Sequence, residues 1–171
     1  MNQISIYQYR QMLAVQRLSG TPKHRSYNLA EHCYFTAVLF AKFAEAEGIE
    51  YDLKVFQAVL NHDVLEIMTG DLLYTAKNLN SVTRVAWESI EAEIVKDNPE
   101  FDCVTDSQIA SIMNGVQLDL FKVCDLLELF IFCKEERLLG NLNQRMKQVE
   151  ENCDWILRQC HFKSVVDFII Y

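Results

Sequence analysis

Four residues of this chain, His32, His62, Asp63 and Asp125, are of types that ligate divalent cations, and two more, Glu66 and Asp71, are carboxylates able to take up or hand over a proton. The densest stretch is Asn61 to Asp71, reading Asn-His-Asp-Val-Leu-Glu-Ile-Met-Thr-Gly-Asp. Its adjacent His62-Asp63 pair sits inside an apolar pattern, where two polar side chains are a costly choice for a core that only needs filling. On a helix Asp63 lies about 100° round from His62, so a neutral imidazole and a carboxylate can grip one ion from neighbouring positions. Glu66, four residues after His62 on the same face, then stands beside the ion rather than on it. The plainer alternative is a local surface ion pair with Glu66 on a solvated face.

The elements that would position these groups read as helices. Leu53, Phe56, Val59, Leu60, Val64, Leu65 and Met68 recur at spacings of three and four, predicting one helix packed on one face, capped by Asp52 and ended by Gly70. His32 falls in the first turn of a helix opened by Asn28 and Glu31 and running through Phe35, Val38, Leu39 and Phe43 to Gly48. Facing inward with Leu29 and Phe35, His32 is either a satisfied core residue or a ligand. Asp125 lies among Val123, Cys124, Leu126, Leu127 and Leu129, a setting in which an unpaired carboxylate is expelled, neutralised or bound to a cation. Lys122, three residues earlier, offers the alternative of a private ion pair.

The remaining pattern predicts helices from about Ile4 to Leu18, Ser81 to Lys96, Ser107 to Leu139 with a break near Gly115, and Asn143 to Cys160, followed by an apolar tail from Val165 to Tyr171. On the second of these Val82, Val85, Ala86, Ile90 and Ile94 form the apolar side. Leu72 to Asn80 reads as a polar connection carrying Tyr74 and Lys77. No alternating strand pattern or internal repeat is visible, so the fold class is all-α, with about six or seven helices. Trp87 and Trp155 are expected in the core; His24 reads as a solvated loop residue and His161 as structural.

At 171 residues and 50% apolar composition the chain suits one compact domain over 1–171. Its net charge of -8 argues against a nucleic-acid polymer as partner, and an anionic substrate must be held by a metal and a few local cations. No signal-peptide pattern and no membrane-length apolar run is visible, and the six cysteines form no Cys-x-x-Cys pair, so free thiols in a cytoplasmic protein are expected.

His32, His62-Asp63 and Asp125 stand in the H…HD…D order of the HD-domain phosphohydrolases, which the chain resembles from Arg17 to Asn141. It is similar above all to the YfbR-like 5'-deoxynucleotidases, through Glu66, Thr69-Gly70-Asp71-Leu72, Lys77, Cys133-Lys134-Glu135-Glu136, Gly140-Asn141, and Arg17 placed fifteen residues before His32. Leu18 stands where that branch usually has tryptophan and Thr75 where it usually has proline, departures that fall where the sugar and base would sit. Lys122 also fits a short phage subgroup of about this length that hydrolyses dATP to deoxyadenosine and triphosphate.

The resemblance implies a single HD-domain helical bundle in which His32, His62, Asp63 and Asp125 hold one divalent ion: Mn2+, Co2+, Fe2+, Zn2+ or Mg2+. It implies Glu66 and Asp71 as the pair that activates water and handles the proton of the leaving 5'-oxygen, in either assignment. Arg17, Lys77 and Lys122 would bind phosphate oxygens, with Leu18, Tyr74 and Thr75 near the sugar or base. The substrate would be a small deoxynucleotide, and the assembly a homo-oligomer.

Overall fold

The computed structural model describes residues 6–72, 74–77, 79–98 and 105–170, with the side chains of Ile6, Tyr74 and Thr75 outside that description. Along it run α1 (Ile6–Gln11), α2 (Leu29–Glu47), α3 (Leu53–Asn61), α4 (Glu66–Thr69), α5 (Tyr74–Lys77), α6 (Ser81–Asp97), α7 (Asp106–Ile112), α8 (Gly115–Leu138), α9 (Gln144–Leu157) and α10 (Lys163–Ile170). The expected all-α class holds: among the described residues there is no strand, only an isolated antiparallel bridge between Gln16 and Asn28. Among the described residues eight segments exceed a single turn, against the six or seven expected, and the break expected near Gly115 is present, so the stretch from Ser107 to Leu139 is two helices. Asn114 causes the break, its side chain accepting from the Gln117 N–H at 2.9 Å while Gln117 reaches back to the Asn114 N–H, so a new helix starts there.

The core is built on α8. Leu120, Cys124, Leu127 and Phe130 of α8 share one buried cluster with Ala37, Phe40 and Ala44 of α2, Val59 of α3, Leu157 of α9 and Val165 and Ile169 of α10. Each large side chain buried there contributes about 1.5–3 kcal/mol. The tail therefore docks as expected. A second cluster of Met12, Leu29, Cys33, Val64 and Leu65 lies under the His-Asp stretch, and a third joins Tyr27, Phe132, Cys133 and Met146 with Leu18 packed against it.

The helix expected from Leu53 to Gly70 is interrupted at the residues that matter. α3 ends at Asn61, and the next four residues turn by i→i+3 bonds, Val64 N–H to the Asn61 carbonyl and Glu66 N–H to the Asp63 carbonyl, each at 2.9 Å. His62 explains the break: its Nδ1 takes the Val59 carbonyl at 2.7 Å, the acceptor that an α-helix would give to the Asp63 N–H. Three-residue turns bring i and i+3 together, so Glu66 sits over Asp63 rather than on the His62 face.

Other faces are reversed from expectation. Phe35, Leu53 and Met68 are exposed, because α2 buries Leu29, His32, Cys33 and Thr36 instead and the broken motif helix presents Val64 and Leu65. α6 has no buried residue; Val82, Val85 and Ile90 point outward, and Ile94 and Val95 touch the second cluster. Trp155 is exposed on α9 and Trp87 half-buried, so neither is a core residue. The polar connection contains the single turn α5, and α1 is shorter than expected, ending at Gln11. Cys33, Cys124, Cys133 and Cys153 are buried free thiols and Cys160 is half-buried; Cys103, Ile4 and Tyr171 lie outside the described residues. No helix is long and apolar enough to cross a membrane.

Candidate metal centre

Three separate elements deliver side chains to one point. α2 brings His32, the turn after α3 brings His62 and Asp63, and the middle of α8 brings Asp125. The Nε2 atoms of His32 and His62 are 3.1 Å apart, and Asp63 Oδ2 lies 3.6 Å and 3.5 Å from them. Asp125 Oδ1 lies 2.9 Å from His32 Nε2 and 3.7 Å from His62 Nε2. Donors about 2.1 Å from a shared ion stand about 3.0 Å apart at right angles and about 3.4 Å apart at the tetrahedral angle, so these separations are those of ligands around one cation. The donor atoms of His32, His62 and Asp63 all fall within 4.8 Å of one another, a group that could hold a metal ion, and Asp125 approaches it from the side of the two imidazoles. Asp125 is not enclosed as its apolar neighbours suggested: its side chain is 42% exposed, which makes it the solvent-facing edge of the group.

The ring nitrogens turned away from this point are both engaged. His62 Nδ1–H donates to the Val59 carbonyl, and His32 Nδ1–H donates to the buried carboxylate of Glu128, which also accepts from the Tyr27 hydroxyl. With Nδ1 protonated on each neutral ring, both Nε2 atoms are left to accept, and at 3.1 Å apart they suit a shared cation. A proton can play that part. Burial and the Arg17 guanidinium push the His32 imidazolium down, but its hydrogen bonds to Asp125 and Glu128 prevail and raise its pKa to about 9. Burial also opposes the charge on His62, where Asp63 outweighs it, and the imidazoles in turn hold both aspartates below their usual range.

Around the ligands stand the other expected residues. The Arg17 guanidinium pairs with Asp63 and lies 5.7 Å from the Tyr27 ring centroid, placed there by backbone bonds from Arg17 N–H to the Tyr27 carbonyl at 2.8 Å and from Leu29 N–H to the Val15 carbonyl at 3.1 Å. Leu18 packs its side chain into the third cluster and takes a left-handed φ of 50°, a strained conformation for this side chain, while its N–H donates to Asp71 Oδ2 at 3.1 Å. Asp71 thus ties the Arg17-Leu18 corner to the end of the motif. Glu66 is buried; Lys77 Nζ sits 2.7 Å from its Oε1, and Oε2 has no hydrogen-bond partner among the described residues. Burial, then the Asp63 charge, raise the Glu66 pKa to about 7 against the pull of Lys77. Lys122 is exposed one turn before Asp125 and forms no ion pair with it among the described residues. The side chains of Tyr74 and Thr75 lie outside the described residues.

Several supporting roles were not assigned from the sequence, although Glu136 and Asn141 stand in the motif quoted from it. Glu128 had a signal, an acid three residues after Asp125 on the same apolar helix, whereas Tyr27 had none. Glu136 is fully buried and accepts from the His24 and Arg25 N–H groups at 2.8 and 2.9 Å, and from Asn141 at 2.8 Å, holding the loop that follows Arg17. Lys23 in that loop donates to the Arg17 carbonyl. His24 donates its backbone N–H to Glu136, whose charge its exposed imidazole also favours, and His161 is exposed, tilted against Phe162.

A helical bundle that brings together a first histidine, a His-Asp pair and a later aspartate carries the residue order that the HD-domain phosphohydrolases share. The chain belongs to the 5'-deoxynucleotidase YfbR-like family, whose model matches residues 6–171. Among solved structures it is similar to the cyanophage S-2L HD phosphohydrolase DatZ bound to dA and one catalytic Zn2+ ion, at 20% identity and TM-score 0.68 over 97% of this chain and 92% of that one. An HD-domain phosphohydrolase from Listeria innocua matches at 18% identity and TM-score 0.73, over 98% of this chain and 86% of its own. A conserved hypothetical protein from Pyrococcus furiosus matches at 20% identity and TM-score 0.64, over 96% and 94%. Among curated proteins no significant relative is found.

Two outcomes are expected. Glu128→Gln weakens divalent-ion affinity by roughly tenfold or more, read by competition with a chelator, because the His32 tautomer and orientation are no longer fixed. In metal-free protein, His32 has a folded pKa of about 9 against an ordinary 6.5, so its contribution to stability is full below about 6.5 and is lost as pH rises through 9. Glu66, raised from 4.5 to about 7, acts in the same direction over its own lower range. The thermal midpoint should therefore fall over this interval without metal and stay nearly level at saturating Zn2+ or Mn2+.

Proposed function

We propose that this protein, acting as one domain over 1–171, is a divalent-metal-dependent phosphohydrolase that cleaves the 5'-phosphate ester of deoxynucleotides to nucleoside and phosphate. The observation that carries this reading is the convergence of His32, His62, Asp63 and Asp125 on one point with the buried Glu66 carboxylate beside Asp63. When bound, the ion supplies Lewis acidity, neutralising phosphate charge and acidifying water. Mixed imidazole and carboxylate donors suit Mn2+, Co2+, Fe2+ or Zn2+.

The rest of the reaction falls to the chain. Glu66 Oε2, unengaged and with its pKa near neutrality, takes the proton of the attacking water as its oxygen bonds to the α-phosphorus. The bond from phosphorus to the 5'-oxygen breaks, and Asp71 delivers a proton to the leaving oxygen; the two carboxylates can exchange these roles. Arg17 leaves Asp63 to grip phosphate oxygens, two at a time, and Lys77 and the exposed Lys122 add charge. Leu18, at its fixed corner, limits the sugar and base side, with Tyr74 and Thr75 nearby.

A second reading, triphosphate release from a deoxynucleoside triphosphate, rests on Lys122, exposed one turn before Asp125; the similar structure of DatZ holds dA, the nucleoside that either reaction would release. The free buried thiols suit a reducing, cytoplasmic setting, and the outward Val82, Val85 and Ile90 of α6 suit a homo-oligomer.

A panel of deoxynucleoside mono-, di- and triphosphates incubated with Mn2+ or Co2+ and resolved by chromatography should give nucleoside and inorganic phosphate from monophosphates; intact tripolyphosphate would select the second reading, and no cleavage of any member would refute both. Glu66→Gln should retain the metal while losing on the order of a hundredfold or more in kcat. For the unmodified protein kcat/KM should rise as pH passes through about 7, and EDTA should abolish turnover.

A further inference from the structure

Lys77 lies on a single helical turn, and a lysine stem is long and flexible, so its own backbone does little to fix where the ammonium sits. Two side chains of α6 do so. The Lys77 Nζ lies 5.4 Å from the Trp87 ring centroid, within cation–π range, while also pairing with Glu66 Oε1 at 2.7 Å. The Trp87 Nε1–H donates to Glu91 Oε1 at 2.6 Å, which fixes the plane of the indole whose ring Lys77 approaches. Besides Glu66, Asp63 and then the Glu91 carboxylate act on the same ammonium. Trp87 and Glu91 are half-buried and run in one helical stripe with Ile94 and Val95, which rest on the cluster beneath the His-Asp turn. This stripe is the inner side of a helix whose apolar residues Val82, Val85 and Ile90 face outward, and core packing accounts for Ile94 and Val95 but not for Trp87 and Glu91.

We propose that Trp87 and Glu91 are positioning residues for Lys77, holding its ammonium where it orients the Glu66 carboxylate and meets a substrate phosphate oxygen. Glu66 has no other side-chain partner among the described residues, so a loosened Lys77 also loosens Glu66. The proposal rests on the phosphohydrolase reading for its effect on turnover, but the geometry of the lysine stands apart from it.

The test combines kinetics with a direct view of Lys77 in metal-loaded protein. Glu91→Gln and Trp87→Leu should each lower kcat/KM roughly tenfold, in keeping with a displaced catalytic-site group, with metal affinity unchanged and the thermal midpoint within a few degrees of the unmodified protein. In a Lys77→Met background neither substitution should lower kcat/KM further. In carbon-13 lysine-labelled protein, the Lys77 ε-methylene signal, assigned by its loss in Lys77→Met, should be shifted upfield by the indole and return towards the ordinary lysine position in both α6 variants. Full activity in Glu91→Gln and Trp87→Leu, additive losses with Lys77→Met, or a Lys77 signal unmoved by either substitution would overturn the proposal. Should the unmodified protein cleave no nucleotide, the phosphohydrolase reading fails by itself and the lysine signal still decides the placement.

Discussion

The Nε2 atoms of two buried imidazoles are held 3.1 Å apart, and much of the surrounding structure can be understood as the means of keeping them there. Neither ring can turn away. His62 is locked to the Val59 carbonyl, which also breaks the helix and turns Asp63 and Glu66 towards the same point. His32 is locked to Glu128, itself capped by Tyr27. Left alone, facing lone pairs repel; with a cation between them and the carboxylates of Asp63 and Asp125 alongside, the same arrangement is attractive. The low dielectric of the surroundings strengthens both effects, so a buried pair of this kind is a strong statement about what it binds.

The chain carries a net charge of -8, yet its proposed substrate is an anion. The site resolves this locally. Arg17 and Lys77 approach it, and each is engaged by an acid there, Arg17 by Asp63 and Lys77 by Glu66. Such pairs keep the cations oriented and let a phosphate compete for them, while the divalent ion supplies the remaining positive charge. Asp71 also holds the Leu18 N–H and Glu136 the loop after Arg17, so that the arginine arrives from a fixed corner.

The meeting of His32, His62, Asp63 and Asp125 was foreshadowed by their H…HD…D order, whereas residue type and spacing alone left a surface ion pair, a core histidine and a private Lys122-Asp125 pair as alternatives. Helix positions were legible through caps such as Asn28, Asp52 and Gly48, which the structure uses as expected. The interruption after Asn61 was not, since apolar periodicity continues through it and the cause is a side-chain bond from His62 to its own backbone. Periodicity also misled at Phe35, Leu53, Met68 and on α6, where an apolar stripe faces outward and the inner stripe carries Trp87 and Glu91. Glu128 and Tyr27 were hidden for another reason: their role depends on residues about a hundred positions apart meeting across α2 and α8.

The central claim is that one divalent ion is gripped by His32, His62, Asp63 and Asp125. X-ray absorption at the metal edge of protein loaded with a single equivalent of Zn2+ or Co2+ addresses it most directly. The account predicts a first shell of nitrogen and oxygen donors at about 2.0–2.2 Å with outer-shell scattering from two imidazole rings, and loss of one ring in a His62→Ala variant. A spectrum without imidazole scattering, dominated by sulfur, or unchanged by His62→Ala, would contradict it.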